Sequence, residues 1–160
     1  MRNSFSLSAI VALCLASSSA SAPAQQASLK DQIAGTWTMV STTSRFGPNA
    51  KGQMILLPNG RYAFMISRAD VPKFAVNNVN QGTAEENAAV VKGVIANFGT
   101  WSVDEATKTL TTNIEASSFP NLNGGSQKRL ISSLTADELK YTNPTSVAGT
   151  VDEAVWKRVK

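Results

Sequence analysis

Short runs of alternating apolar and polar residues, separated by glycine, proline and asparagine, fill most of the chain beyond residue 34. A period of two puts successive side chains on opposite faces of a β-strand. Eight strands are predicted: Thr36–Ser44, Gly52–Leu57, Arg61–Ser67, Phe98–Val103, Lys108–Ala116, Ser126–Leu134, Leu139–Asn143 and Val151–Val159. Most connections between them read as tight turns. Pro58-Asn59-Gly60-Arg61 is the clearest, because Asn-Gly accepts the positive φ angles of a hairpin. Between the third and fourth runs the rhythm stops. Arg68 to Gly82 is irregular, and Thr83-Ala84-Glu85-Glu86 is a capping box, in which hydroxyl and carboxylate each satisfy the other's exposed backbone amide. Ala88, Val91 and Ile95 follow at spacings of three and four, with Val90 and Val94 beside them. This pattern predicts an amphipathic helix over Ala84–Ala96, weakened by Gly93. Leu29 and Ile33 predict a shorter helical turn ahead of the first strand.

Eight strands joined by hairpins imply an all-β class and an eight-stranded up-and-down antiparallel barrel. One helical insertion separates the third and fourth strands; a β-sandwich is the structural alternative. Closure removes exposed edges, and eight strands leave room for one small ligand. The two ends of the chain suggest how the barrel closes. Gly35-Thr36-Trp37 opens the first strand and Trp156-Lys157-Arg158 lies on the last. If those strands are neighbours, the Arg158 guanidinium lies on the Trp37 indole, an interaction of about 0.5–2 kcal/mol. Gly35, Trp37 and Arg158 are therefore expected to be structural. A second Gly99-Thr100-Trp101 has different surroundings, which makes it either coincidence or a shared packing device.

The first residues carry a different signal. Arg2 precedes an apolar stretch from Phe5 to Leu15, too short to span a bilayer, and small residues follow around Ala20, Ala22 and Ala24. Residues 1–24 are expected to be a signal peptide and residues 25–160 a single domain. The one cysteine, Cys14, falls in the apolar stretch, and the chain has no histidine. A processed domain without disulfides points to a periplasmic or secreted location. No later stretch is apolar enough to cross a membrane as a helix. The net charge of +4 is scattered, without an arginine-rich helix or aromatic platform, so nucleic acid is not an expected partner. Acidic residues stand singly rather than at metal-ligand spacings, and no phosphate loop, dinucleotide fingerprint or Ser-His-Asp set appears. Neither metal nor cofactor is expected, and the sequence does not set an oligomeric state. Without histidine, general acid–base chemistry would fall to Glu115, Tyr62 or Tyr141.

Several runs together resemble a known family. These are Ile33-Ala34-Gly35-Thr36-Trp37-Thr38-Met39-Val40-Ser41, Pro58-Asn59-Gly60-Arg61-Tyr62, and Gly99-Thr100-Trp101-Ser102-Val103-Asp104 after Glu86. Glu115-Ala116-Ser117-Ser118-Phe119-Pro120-Asn121, Gln127-Lys128-Arg129 and Val155-Trp156-Lys157-Arg158 complete the set. In order and spacing they are similar to the lipocalin, or calycin, pattern, and more specifically to bacterial and fungal single-domain lipocalin-like proteins. The resemblance implies a barrel with a central cavity but no single activity. One departure is that the family often has histidine about where Asn113 stands.

The candidate site residues follow from that cavity. Tyr62, Phe64 and Ile66 share one face of the third strand and are expected to form pocket wall, with Phe98 bordering the insertion. Arg68 is expected near the mouth, where it would meet an anionic ligand or solvent. Alternation puts Asn113 and Glu115 on one face of the fifth strand, and Gln127 and Arg129 on one face of the sixth. With both faces inward, Glu115 and Arg129 would form a buried pair. That pair would either order the barrel or present Arg129 to a ligand's carboxylate or carbonyl. The helix would be a lid or a fixed plug. The first expectation is thus an exported barrel that binds a small hydrophobic or amphipathic molecule. The alternatives are a cofactor-free isomerase or cyclase using Glu115, Arg129 and Tyr62, and an envelope interaction module.

Overall fold

The computed structural model describes residues 27–160, so the expected signal peptide lies outside the described residues. Eight antiparallel strands close into one barrel in chain order. They are β1 (Gly35–Thr42), β2 (Lys51–Leu56), β3 (Arg61–Ser67), β4 (Val94–Asp104), β5 (Thr109–Ser117), β6 (Ser126–Leu134), β7 (Glu138–Asn143) and β8 (Asp152–Arg158). Two α-helices accompany them, α1 (Leu29–Ile33) and α2 (Ala84–Gly93), the latter between β3 and β4. The up-and-down barrel with one helical insertion is therefore the observed architecture.

Closure places β1 beside β8, with Trp37 opposite Arg158 in register. The Arg158 guanidinium lies 4.1 Å from the centre of the Trp37 ring. It also donates to the backbone carbonyls of Ala34, Gln32 and Ala136, which ties α1 and the β6–β7 turn to the seam. Trp37 Nε1 donates to the Ile33 carbonyl at 2.9 Å. Gly35 has φ +138°, and a Cβ there would lie 2.5 Å from an Arg158 nitrogen, so the stacked arginine itself requires glycine. Trp37, Met54, Leu56, Leu110, Leu139 and Trp156 fill this end, and Ile33 of α1 covers it.

The second Gly-Thr-Trp does related work. The β4–β5 register shifts between Phe98 and Gly99, and a Cβ on Gly99 would collide with the Asn113 carbonyl. Trp101 is buried and donates from Nε1 to the Leu57 carbonyl at 2.9 Å. Both motifs therefore combine close packing at a glycine, on a side chain at Gly35 and on backbone at Gly99, with an indole anchored to a carbonyl.

The insertion differs from expectation. The capping box forms, with the Glu86 amide donating to Thr83 Oγ1 at 3.2 Å and the Thr83 amide to Glu86 Oε2 at 2.8 Å. The Thr83 amide, with the Ala75 amide donating to the other carboxylate oxygen, holds the Glu86 carboxyl below the usual carboxylate range. The helix, however, ends at Gly93 rather than Ala96, and β4 starts at once with Val94 opposite Ser67 of β3. A strand partner competes with the next helical turn, and Gly93 is a poor residue with which to propagate that turn. Ile95 consequently points into the barrel from a strand, while Val91 stays 69% exposed and only Gly93 of α2 is buried. The amphipathic face does not pack on the core, and α2 lies on the rim.

Candidate functional site in the barrel interior

The apolar floor fills one half of the barrel, and the other half carries polar groups around a narrow cavity. Its volume is about 50 Å³, room for about three water-sized groups. Alternation along each strand supplies the lining: Phe64 and Ile66 from β3, Ile95 and Asn97 from β4, Gln127 and Arg129 from β6, Tyr141 from β7. Asp152 and Ala154 of β8 complete the wall. Two loops reach over the top. Phe46, in the β1–β2 loop, is buried in the mouth, and Val147 of the β7–β8 loop packs against the core. Arg45 lies 4.2 Å over the Phe46 ring and donates to the Lys92 carbonyl at the end of α2.

Arg129 is the centre of the polar half. It is 3% exposed, and it donates to Thr112 Oγ1 at 2.9 Å and Gln127 Oε1 at 3.1 Å. Its guanidinium carbon lies 5.4 Å from the Phe64 ring centre and 5.7 Å from that of Tyr141. None of the ion pairs among the described residues includes it. Residues 1–26 contain no Asp or Glu, so they hold no carboxylate side chain for it either. Tyr62 donates from its hydroxyl to Asn97 Oδ1 at 2.9 Å. Burial raises the pKa of both Tyr62 and Tyr141, against the opposing field of Arg129, so both hydroxyls are held as neutral groups.

Behind Tyr141, the rings of Tyr141 and Trp156 lie 6.2 Å apart, and Trp156 Nε1 is buried without a hydrogen-bond partner. The acid on the lining, Asp152, accepts from Thr150 Oγ1 at 2.7 Å. Its charge is felt at Arg45, where burial lowers the guanidinium pKa and Asp152 opposes the shift. The interior thus combines the donors of Arg129 and Tyr141 with apolar wall, an arrangement that can hold an oxygen-bearing ligand.

Residues 34–159 match the family model of the lipocalin-like domain. The chain belongs to the lipocalin-like domain family. Among curated protein sequences, none matches it. Among solved structures it is similar to a lipocalin-like protein from Bacteroides uniformis ATCC 8492, at 12% identity and TM-score 0.45. That match covers 80% of this chain and 99% of the other. A redesigned β-barrel is similar at 15% identity and TM-score 0.47, over 84% of this chain and 100% of that one.

Within this lipocalin-like barrel the expected site residues separate into two groups. Phe64, Ile66 and Arg129 line the cavity, and Tyr62 is buried in the interior without lining it. Glu115 and Asn113 do neither, which corrects the expected Glu115–Arg129 pair. Leu110, Thr112 and Ile114 take the inward positions of β5, so residues 113 and 115 face solvent. Glu115 pairs there with Arg61, whose hydrogen bonds hold the Glu115 carboxyl below the usual range. Asn113 lies near Thr100 on the same outer surface.

Phe98 also faces out, 47% exposed, because Asn97 takes the inward position on β4. Arg68 is exposed, engaged by Asp70, and borders an outer groove with Arg45 rather than the cavity. The proposed catalytic set of Glu115, Arg129 and Tyr62 is therefore not assembled. Asn97, Thr112, Gln127 and Tyr141 stand beside Arg129 instead. The shared parity of Leu110, Thr112 and Ile114 was the sequence signal for Thr112. The overlong helix hid the alternation of Ile95, Asn97 and Gly99. Phe46 and Val147 come from loops without a periodic signal.

Proposed function

We propose that this protein is an exported lipocalin-like barrel that binds a small amphipathic molecule in its interior cavity. The observation that carries the proposal is the mixed lining: apolar Phe46, Phe64, Ile66 and Ile95 together with polar Arg129, Asn97, Gln127 and Tyr141. A pocket of this kind excludes water from a ligand's hydrocarbon part while a few placed groups orient its polar end. The cavity volume restricts the buried part of the ligand to a few heavy atoms. Any longer tail must pass Phe46 at the mouth.

Export is supported by the charged, apolar and small-residue order of residues 1–24. Expression of the full chain in a Gram-negative host, followed by fractionation and N-terminal sequencing, tests it. A mature chain starting at Ser21 or Gln25 in the periplasm or medium is expected; retention of Met1 in the cytoplasm would refute export. Binding is tested by native mass spectrometry of the purified protein with a library of small amphipathic molecules. One ligand per chain is expected, with tighter uptake of longer molecules by Phe46→Ala. No uptake by either protein would refute the proposal.

A further inference from the structure

We infer that the cavity selects a short aliphatic carboxylate, with Arg129 and the Tyr141 hydroxyl as its donors. The inference deepens the binding proposal above and rests on it. A guanidinium carries five N–H donors in a planar fork suited to two carboxylate oxygens. Thr112 and Gln127 engage two of those donors, and both partners are neutral. A cation buried to this degree without an anion is costly, because neutral hydrogen bonds replace only part of its hydration. Yet Arg129 is enclosed by Phe64 and Tyr141 rather than by an acid.

A second observation lies next to it. Tyr141 lines the same cavity, and its hydroxyl oxygen lies close to the donors of Arg129 and Trp156; both neighbours are donor-only, so neither offers its O–H an acceptor. Trp156 Nε1, buried and without an acceptor, belongs to the ring packed on Tyr141. Three donor-bearing side chains therefore meet in one place with too few protein acceptors.

The surroundings narrow the anion. One delocalised cation matches a monoanion. A dianionic phosphate would leave excess negative charge buried in a cavity that Asp152 also lines. The walls beyond the guanidinium are Ile66, Ile95 and Phe46, which suit an unbranched hydrocarbon rather than a sugar. At about 50 Å³ the buried portion is a carboxylate and the first carbons of its chain.

NMR titration of the purified protein with butanoate, hexanoate, butan-1-ol and hexan-1-ol tests this directly, on the wild type, Arg129→Met and Tyr141→Phe. Each acid is expected to bind the wild type at least tenfold more tightly than its matching alcohol. That preference should fall below threefold in Arg129→Met. Tyr141→Phe should weaken the acids severalfold and the alcohols less. Equal binding of acids and alcohols by the wild type, or a preference that survives Arg129→Met, overturns the carboxylate inference and leaves the cavity proposal standing. Binding of none of the four overturns the inference. If the longer molecules of the mass-spectrometry library are still taken up, the cavity proposal survives it. Should Arg129→Met fail to fold by circular dichroism, Tyr141→Phe decides alone: an unchanged acid-to-alcohol ratio refutes the assignment.

Discussion

Arg158 and Arg129 occupy opposite halves of one barrel and are solvated by protein in opposite ways. Arg158 lies on an indole and spends its donors on three backbone carbonyls from α1, the segment after it and the β6–β7 turn. Every one of those contacts joins pieces of the chain. Arg129 is more deeply buried, yet its partners are two neutral side chains from adjacent strands, which the sheet already holds in place. Removing the first loosens the seam; removing the second leaves the backbone hydrogen-bonded as before. A buried arginine therefore says little by itself about role. What its donors reach separates a structural clamp from a site.

The contrast can be broken in four ways. The largest effect is expected for Arg158→Ala, which removes the stacking and leaves carbonyls at the seam without donors. A loss of about 2–4 kcal/mol is expected, read from urea unfolding. A change below about 0.5 kcal/mol would mean the seam is held by strand pairing alone.

Next in size is the alkaline behaviour of the interior. The chain has two tyrosines, Tyr62 and Tyr141, so tyrosinate absorbance reports only them. Burial raises the pKa of both in the folded state. Their contribution to stability is thus fully present below about pH 10, the ordinary tyrosine value. It is lost as pH rises toward and through the raised folded values, because the unfolded chain releases its protons first. Absorbance at 295 nm should stay flat through pH 10 in the native protein and rise normally in denaturant. A native titration matching the denatured one would show that these hydroxyls are solvated.

Arg129→Met is the sharper comparison. Exchanging a buried, unpaired cation for an apolar chain of similar length is expected to leave stability unchanged or to raise it, by up to about 2 kcal/mol. A loss as large as that of Arg158→Ala would make Arg129 a structural residue too. The smallest effect is expected for Glu115→Gln. Its exposed pair with Arg61 lies outside the barrel, so midpoint and ligand uptake should both match the wild type. Lost uptake in this variant would return Glu115 to the site.

The closing seam was legible in the sequence because both its ends are chemically distinctive and strand alternation is local. Gly35, Trp37 and Arg158 needed only the assumption of closure. The polar interior was harder to read for a physical reason. A one-residue choice of parity reverses every side chain of a strand. On β5, Asn113 and Glu115 drew attention as polar residues, whereas Leu110 and Ile114 marked the inward face. On β4 a good helical pattern ran into a good strand, and pairing with β3 decided where one became the other. Phe46, which narrows the mouth, depends on the path of a loop rather than on any period.

The most direct measurement is the location of a bound molecule. An isotope-filtered NOE spectrum of ¹³C-labelled hexanoate with the protein would place its chain against particular side chains. Cross-peaks to Phe64, Ile66 and Ile95, which face the cavity, are the expected result. Cross-peaks instead to Met65 and Phe98, which are apolar but stand on the outer surface of the same strands, would contradict an interior site.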